Sequence, residues 1–211
     1  MTEPMHHIPE ALLADYANGR IAAPFDMAIA CHISLCDDCR AMLQTHQSLG
    51  GVLLDDLPET PVSRAAESAM MALLDMPQPQ TAPMLRQGIY PAPLGQYLTP
   101  RGPKWRALGG GVKQAILSAG REGSLRLLHI PAGQAVPEHG HGGLEMTLVL
   151  QGGFSDSTGR FGVGDLEVTN EDIDHIPTAW PGEACICLAA TNAPLRFHGL
   201  IPRLLQPLFR I

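Results

Sequence analysis

The sequence predicts a two-part chain, all-α in front and all-β behind. Three observations predict it. Apolar residues recur at helical spacing up to about Met76; seven prolines (77, 79, 83, 91, 93, 100 and 103) interrupt the chain between Pro77 and Pro103; and short β-type runs set off by Gly and Pro follow. At 211 residues with 45% apolar content, the chain can bury a real core and is too long for one minimal domain. The expected division is residues 1–80, a Pro-rich linker over 81–100, and residues 101–211.

From Glu10 the run Ala-Leu-Leu-Ala-Asp-Tyr-Ala has helical spacing, with Pro9 tolerated at the start and Gly19 as the stop. A second helix begins near Pro24-Phe25-Asp26 and carries Met27, Ala30 and Cys31 toward His32. A third starts at Ser34, because Ser34-x-x-Asp37 has the form of a capping box and Met42 and Leu43 follow. A fourth, from Ser63 to about Met76, holds Ala65, Ala66, Ala69, Met70, Met71, Leu73 and Leu74, more apolar surface than a short exposed helix should carry. It either packs in the core of the front domain or docks on a partner, since Met-rich faces adapt to protein grooves. Beyond the prolines, β-type runs fall at Ala115–Leu117, Ser124–Ile130, Glu145–Leu150, Asp165–Thr169, Ala184–Ala189 and Leu195–Ile201, the spacing of a compact β-barrel or sandwich.

The net charge of -7 is unevenly spread: residues 1–80 hold eleven Asp/Glu against three Arg, giving -8, and residues 81–211 hold ten against eleven, giving +1. An acidic front repels phosphate backbones, which disfavours direct nucleic-acid binding there and favours a basic protein partner, although solubility accounts for the excess equally well. No run approaches the ~18 apolar residues of a membrane span, and Met1–Glu10 lacks the charged-then-apolar order of a secretory signal, so the expected location is the cytoplasm. In a reducing compartment the five cysteines (Cys31, Cys36, Cys39, Cys185 and Cys187) point to metal or redox chemistry more than to structural disulfides.

His32-x3-Cys36-x2-Cys39 offers three zinc-type ligands at a helix junction, where a helix dipole and free N–H groups favour thiolates. A fourth must come from elsewhere, and the other front-half histidines are His6, His7 and His46. Cys31 reads as a small core residue. The segment His32-Ile-Ser-Leu-Cys36-Asp-Asp-Cys39 with an upstream histidine resembles the zinc-binding anti-sigma domain, a small helical bundle that inhibits group IV (extracytoplasmic function, ECF) sigma factors. The resemblance implies a structural Zn2+ held by the upstream histidine, His32, Cys36 and Cys39. His7 is the expected upstream ligand because it precedes Pro9 and the first helix most directly, and the doublet leaves His6 open beside it.

Gly133-x5-His139-x-His141-x3-Glu145-x6-Gly152 reproduces the whole first cupin motif. Two histidines at i and i+2 share one strand face and can both point into a barrel, and the glycines allow tight turns. The second cupin motif is matched in spacing alone: Gly164 begins it and His175 holds the histidine position, while Asn170, Asp172 and Ala179 replace its proline, glycine and asparagine. His139, His141, Glu145 and His175 would form a three-histidine, one-carboxylate site for Zn or another divalent transition metal, since such ligands discriminate weakly. His129 and His198 fit no motif. Alternation places Cys185 and Cys187 on one strand face, as buried core or as a redox pair.

Front and back together resemble the ChrR family of anti-sigma factors over nearly the whole chain. The resemblance implies a regulator, not an enzyme. Its front domain would bind an ECF sigma factor as a 1:1 heterodimer and block RNA polymerase binding, and its cupin would be needed for the response to singlet oxygen and related oxidants, with no direct contact to nucleic acid or membrane. The alternative is a metal-dependent cupin enzyme of dioxygenase type with a small regulatory zinc domain, against which no separate substrate-handling motif is found.

Overall fold

The structure, a computed structural model, describes residues 3–77 and 83–197. Four α-helices lead: α1 (Glu10–Ala17), α2 (Ala23–Ile33), α3 (Asp37–Asp55) and α4 (Arg64–Leu74). A 3-10 helix (Ala92–Tyr97) follows, then eleven strands: β1 (Arg106–Gly109), β2 (Val112–Gly120), β3 (Gly123–Ile130), β4 (His139–His141), β5 (Glu145–Gln151), β6 (Gly153–Ser155), β7 (Arg160–Gly162), β8 (Leu166–Thr169), β9 (Thr178–Ala179), β10 (Cys185–Thr191) and β11 (Leu195–Phe197). Positions 198–201 of the last expected strand, His198 among them, lie outside the described residues.

The helix starts follow local chemistry. Pro24 occupies the first turn of α2, where its missing N–H costs nothing. Ser63 caps α4, its Oγ accepting from the Ala66 amide at 3.2 Å. The cap expected at Ser34 is not used. Ser34 still has helical backbone angles and closes α2, its hydroxyl donating to the Cys31 carbonyl at 2.7 Å. Cys36 caps α3 instead, its sulfur accepting from the Cys39 amide at 3.5 Å.

The strands form a sandwich. A six-stranded antiparallel sheet in the order β1-β2-β3-β10-β5-β8 is faced by the smaller sheets β7-β6-β9 and β11-β4. Phe154 and Phe161 from the smaller side pack on Val149, Cys185 and Cys187. That interior uses one side of the alternating strands. The other side, with Leu125, Leu127, Met146, Leu148, Leu188 and Ala190, packs in one continuous core with Phe25, Ala28 and Ile29 of α2. This is why β10 is buried at every position: α2 covers the face that would otherwise meet water.

The helical front and the sheet therefore share one apolar core. Ile8 and Leu13 belong to it, as does Leu94 of the 3-10 helix, so the second half of the proline-rich stretch is packed against α2, while residues 83–88 are exposed. The distal half of α3 and the whole of α4 stand apart. No described residue of α4 is buried, and Leu49, Leu53, Leu54, Met70, Met71, Leu73 and Leu74 are all exposed, Leu74 at 72%. Of the two destinations open to the fourth helix, the core is not the one it takes. Among the described residues no helix is long and apolar enough to cross a membrane.

Candidate metal centres

The first centre lies where the N-terminal segment, α2 and α3 meet. His32 ends α2, Cys36 and Cys39 open α3, and His7 comes from the segment before α1. Their ligand atoms all lie within 4.8 Å of one another. Nε2 of His32 is 3.3 Å from the Cys39 sulfur, and Nδ1 of His7 is 3.3 Å from the Cys36 sulfur and 3.7 Å from that of Cys39. A tetrahedral Zn2+ with sulfur and nitrogen ligands has edges of roughly 3.3–3.8 Å, so these spacings fit that ion. His6 points elsewhere, its Nδ1 3.3 Å from Asp165. His46 lies further along α3, outside the four.

Electrostatics suits a cation here. Burial pulls His32 down to about 4, with its hydrogen bond to the Gly164 carbonyl opposing, so the ring is neutral near pH 7 and keeps a lone pair at Nε2. Burial and the neighbouring Cys36 push the Cys39 thiol up to about 11, against a hydrogen bond from the Ile8 amide. A divalent ion supplies the charge that makes two adjacent thiolates tolerable.

The second centre lies inside the sandwich. His139 and His141 project from β4, and His175 is brought opposite His139 by a two-way backbone bridge, each amide donating to the other's carbonyl at 3.2 and 3.0 Å. The three imidazoles cluster within 4.8 Å, with Nε2 of His141 and of His175 only 3.1 Å apart, and all three are buried. Each outward nitrogen has an oxygen beside it. Nδ1 of His139 donates to the Pro137 carbonyl at 2.8 Å, Nδ1 of His141 lies 3.1 Å from Glu145, and Nδ1 of His175 lies 2.7 Å from Asp156. Glu145, expected as the fourth ligand, is not in the converging group: it lies at the back of His141, on the outward Nδ1, and is bonded by Thr147 at 3.0 Å. Three buried imidazoles converging on one point, with a carboxylate at hand, suit a divalent transition ion.

Asp156 and Glu167 belong to no motif in the sequence. They form a second buried group with His175. Burial alone would lower His175, but Glu167 and Asp156 outweigh it and raise the imidazole. Burial raises Glu167, and burial would raise Asp156 too, except that hydrogen bonds from Glu167 and Thr158 bring it below its ordinary range. Such oxygen partners hold a ligating histidine in one tautomer and orientation. Cys185 and Cys187 are free thiols buried in the sandwich interior, and Cys187 is raised by its hydrogen bond with Cys185 and by burial. His129 packs against the Trp105 ring at 5.9 Å.

The chain thus joins a helical front carrying a His2Cys2 cluster, through a common core, to a cupin-type sandwich with a buried histidine cluster. The family model for the ChrR cupin-like domain matches residues 96–194. The anti-sigma-E factor ChrR of Cereibacter sphaeroides is 49% identical over 209 residues, 98% of each chain. The crystal structure of Rhodobacter sphaeroides SigE in complex with the anti-sigma ChrR superposes with a TM-score of 0.78 at 46% identity, covering 88% of this chain and 98% of that one. The chain belongs to the ChrR family of anti-sigma factors, which are regulators and not enzymes.

Proposed function

We propose that the protein binds a group IV (ECF) sigma factor one-to-one through residues 1–80 and keeps it from RNA polymerase. In this reading a structural Zn2+ on His7, His32, Cys36 and Cys39 braces the helices. A Zn2+ or other divalent transition ion on His139, His141 and His175, with Glu145 supporting it from behind His141, equips residues 101–211 as a sensor, with 81–100 as the connection. An oxidant of singlet-oxygen type, acting at the cupin, loosens the grip on the sigma factor, because His, Cys and Met side chains are oxidisable. A groove of about 590 Å3 lined by Asp156, Asp174, His175 and Ile176 gives small molecules a way to that side.

The observation that carries the reading is the uncovered apolar surface of the distal half of α3 and of α4, on an acidic front half. A lone helix bearing Met70, Met71, Leu73 and Leu74 gains little from water exposure and much from an apolar groove. The relatives' names supply the partner's kind: one is an anti-sigma-E factor, and the other was crystallised with SigE.

The test is co-expression of the full chain with each group IV sigma factor of its host, followed by co-purification and a polymerase-binding competition. A 1:1 complex that excludes polymerase is expected. Zinc-loaded protein that captures none of those sigma factors would overturn the reading.

A further inference from the structure

The N-terminal cluster does not stand on the front half alone. His32 is wholly buried, and its Nδ1 donates to the carbonyl of Gly164 at 2.9 Å, a residue in the turn between β7 and β8 of the cupin. With that proton committed, Nε2 is the nitrogen left to face the Cys39 sulfur. The same turn holds the backbone that delivers His7. Both oxygens of Asp165 are engaged: Oδ1 accepts from the Met5 and His6 amides at 2.6 and 2.9 Å, while Oδ2 accepts from the Gly162 amide at 2.7 Å and lies 3.3 Å from the His6 ring. One residue on, the Leu166 amide donates to the His6 carbonyl at 3.2 Å.

Residues 3–9 contain no helix or strand of their own. Their placement comes from these bonds and from the burial of Ile8, and an unpinned segment would have to be ordered by the metal itself. Gly164 is suited to the close approach. Its φ is +94°, and a Cβ there would stand 2.8 Å from the Pro4 ring.

We infer that the β7–β8 turn of the cupin is the outer shell of the N-terminal metal site, with Asp165 as the positioning residue for His7 and the Gly164 carbonyl as the orienting acceptor for His32. The inference rests on the His2Cys2 zinc reading above and adds to it: the zinc that braces the front half is held in geometry by the back half. Outer-shell partners of this kind set metal affinity as well as ligand orientation.

Asp165→Asn tests it on the full chain. An amide cannot accept at both ends, so one of the N–H groups now bound would face another donor. Cobalt reports on this site separately, because only a cysteine-containing site gives a thiolate-to-cobalt charge-transfer band. We expect D165N to surrender its thiolate-site metal at about 10–100-fold lower chelator concentration than wild type, with a weakened or shifted cobalt band, while Glu171→Gln, at an exposed carboxylate, behaves as wild type. A folded D165N with wild-type affinity and band overturns the inference. Should D165N not fold, nitrogen-detected NMR of the zinc-loaded wild type decides. A slowly exchanging Nδ1–H on His32 with the metal at Nε2 supports the inference, and a metal at Nδ1 or a rapidly exchanging proton refutes it. Wild-type protein without any thiolate-to-cobalt band would instead remove the zinc reading itself.

Discussion

His32 and Gly164 stand 132 positions apart in the chain and are joined by a 2.9 Å hydrogen bond from imidazole to carbonyl. The helical front and the β back are one packed unit with a shared core, and whatever disturbs the cupin turn is felt by a residue of the His2Cys2 cluster. Coupling of this kind requires two states that differ in sigma-factor affinity, and a contact at the cluster is a physical place for the difference to arise.

Replacing Cys36 or Cys39 by Ser should cost one metal equivalent per chain and leave the cupin's complement intact. Elemental analysis of the purified full-length variants reads the count. Sigma-factor capture should fall with it, since an ion on this cluster would tie the ends of α2 and α3 to His7.

Met70→Asp together with Leu74→Asp alters a helix with no buried residue. Thermal stability should change by about 0.5 kcal/mol or less per substitution, whereas co-purification with the sigma factor should be abolished. Retained binding would place the docking surface elsewhere.

Ile29 is fully buried between α2 and the sheet. Ile29→Ala should destabilise the protein by about 2–5 kcal/mol. Because the core is continuous, helix and sheet signals should be lost in one transition, which circular dichroism and hydrogen exchange on β10 can compare. Two separate transitions would contradict the shared core.

Asp156→Asn should weaken metal binding by the cupin by about 10–100-fold, because an amide cannot accept from Thr158 and Gly159 at one end and from the His175 Nδ1 proton at the other. Chelator competition on the Cys36→Ser background, where the N-terminal site is disabled, isolates this effect.

Burial would raise the Asp165 carboxyl, but the amides of Gly162, His6 and Met5 overcome it and hold the group below its ordinary range. A depressed folded-state value means that its stabilisation is fully present above the unfolded value of about 3.9 and is lost as pH falls through the folded one. In chelator, wild type should therefore exceed D165N in stability at pH 6, and the gap should close as the medium is acidified below pH 4. Denaturant melts across that range measure it.

Much of this was readable from local chemistry. The cupin motif carries its histidines in its own spacing, and His139, His141 and His175 converge as that spacing implies, while Glu145 lies behind His141. Ser63 announces α4 because a cap acts within one turn. A hydroxyl near a helix junction such as that of Ser34 can serve either helix, and here it donates to the Cys31 carbonyl of α2. Position before Pro9 favours His7 over His6 in the sequence while leaving the doublet open; in the structure His7 lies with His32 and the two cysteines, and His6 lies beside Asp165 from across the fold. Asp156, Glu167, Gly164 and Asp165 matter through partners distant in the chain, for which no motif exists.

By itself the sequence determined the helical front, the β back, the histidine and cysteine types gathered in both clusters and the family they resemble, since periodicity, capping and motif spacing act between near neighbours. Only the tertiary structure decided that α2 lies on the sheet, that α4 is left uncovered, and that the cupin turn grips His32 and the segment bearing His7. Those outcomes depend on which apolar faces find each other and which buried polar groups find partners, and that is settled by packing in three dimensions.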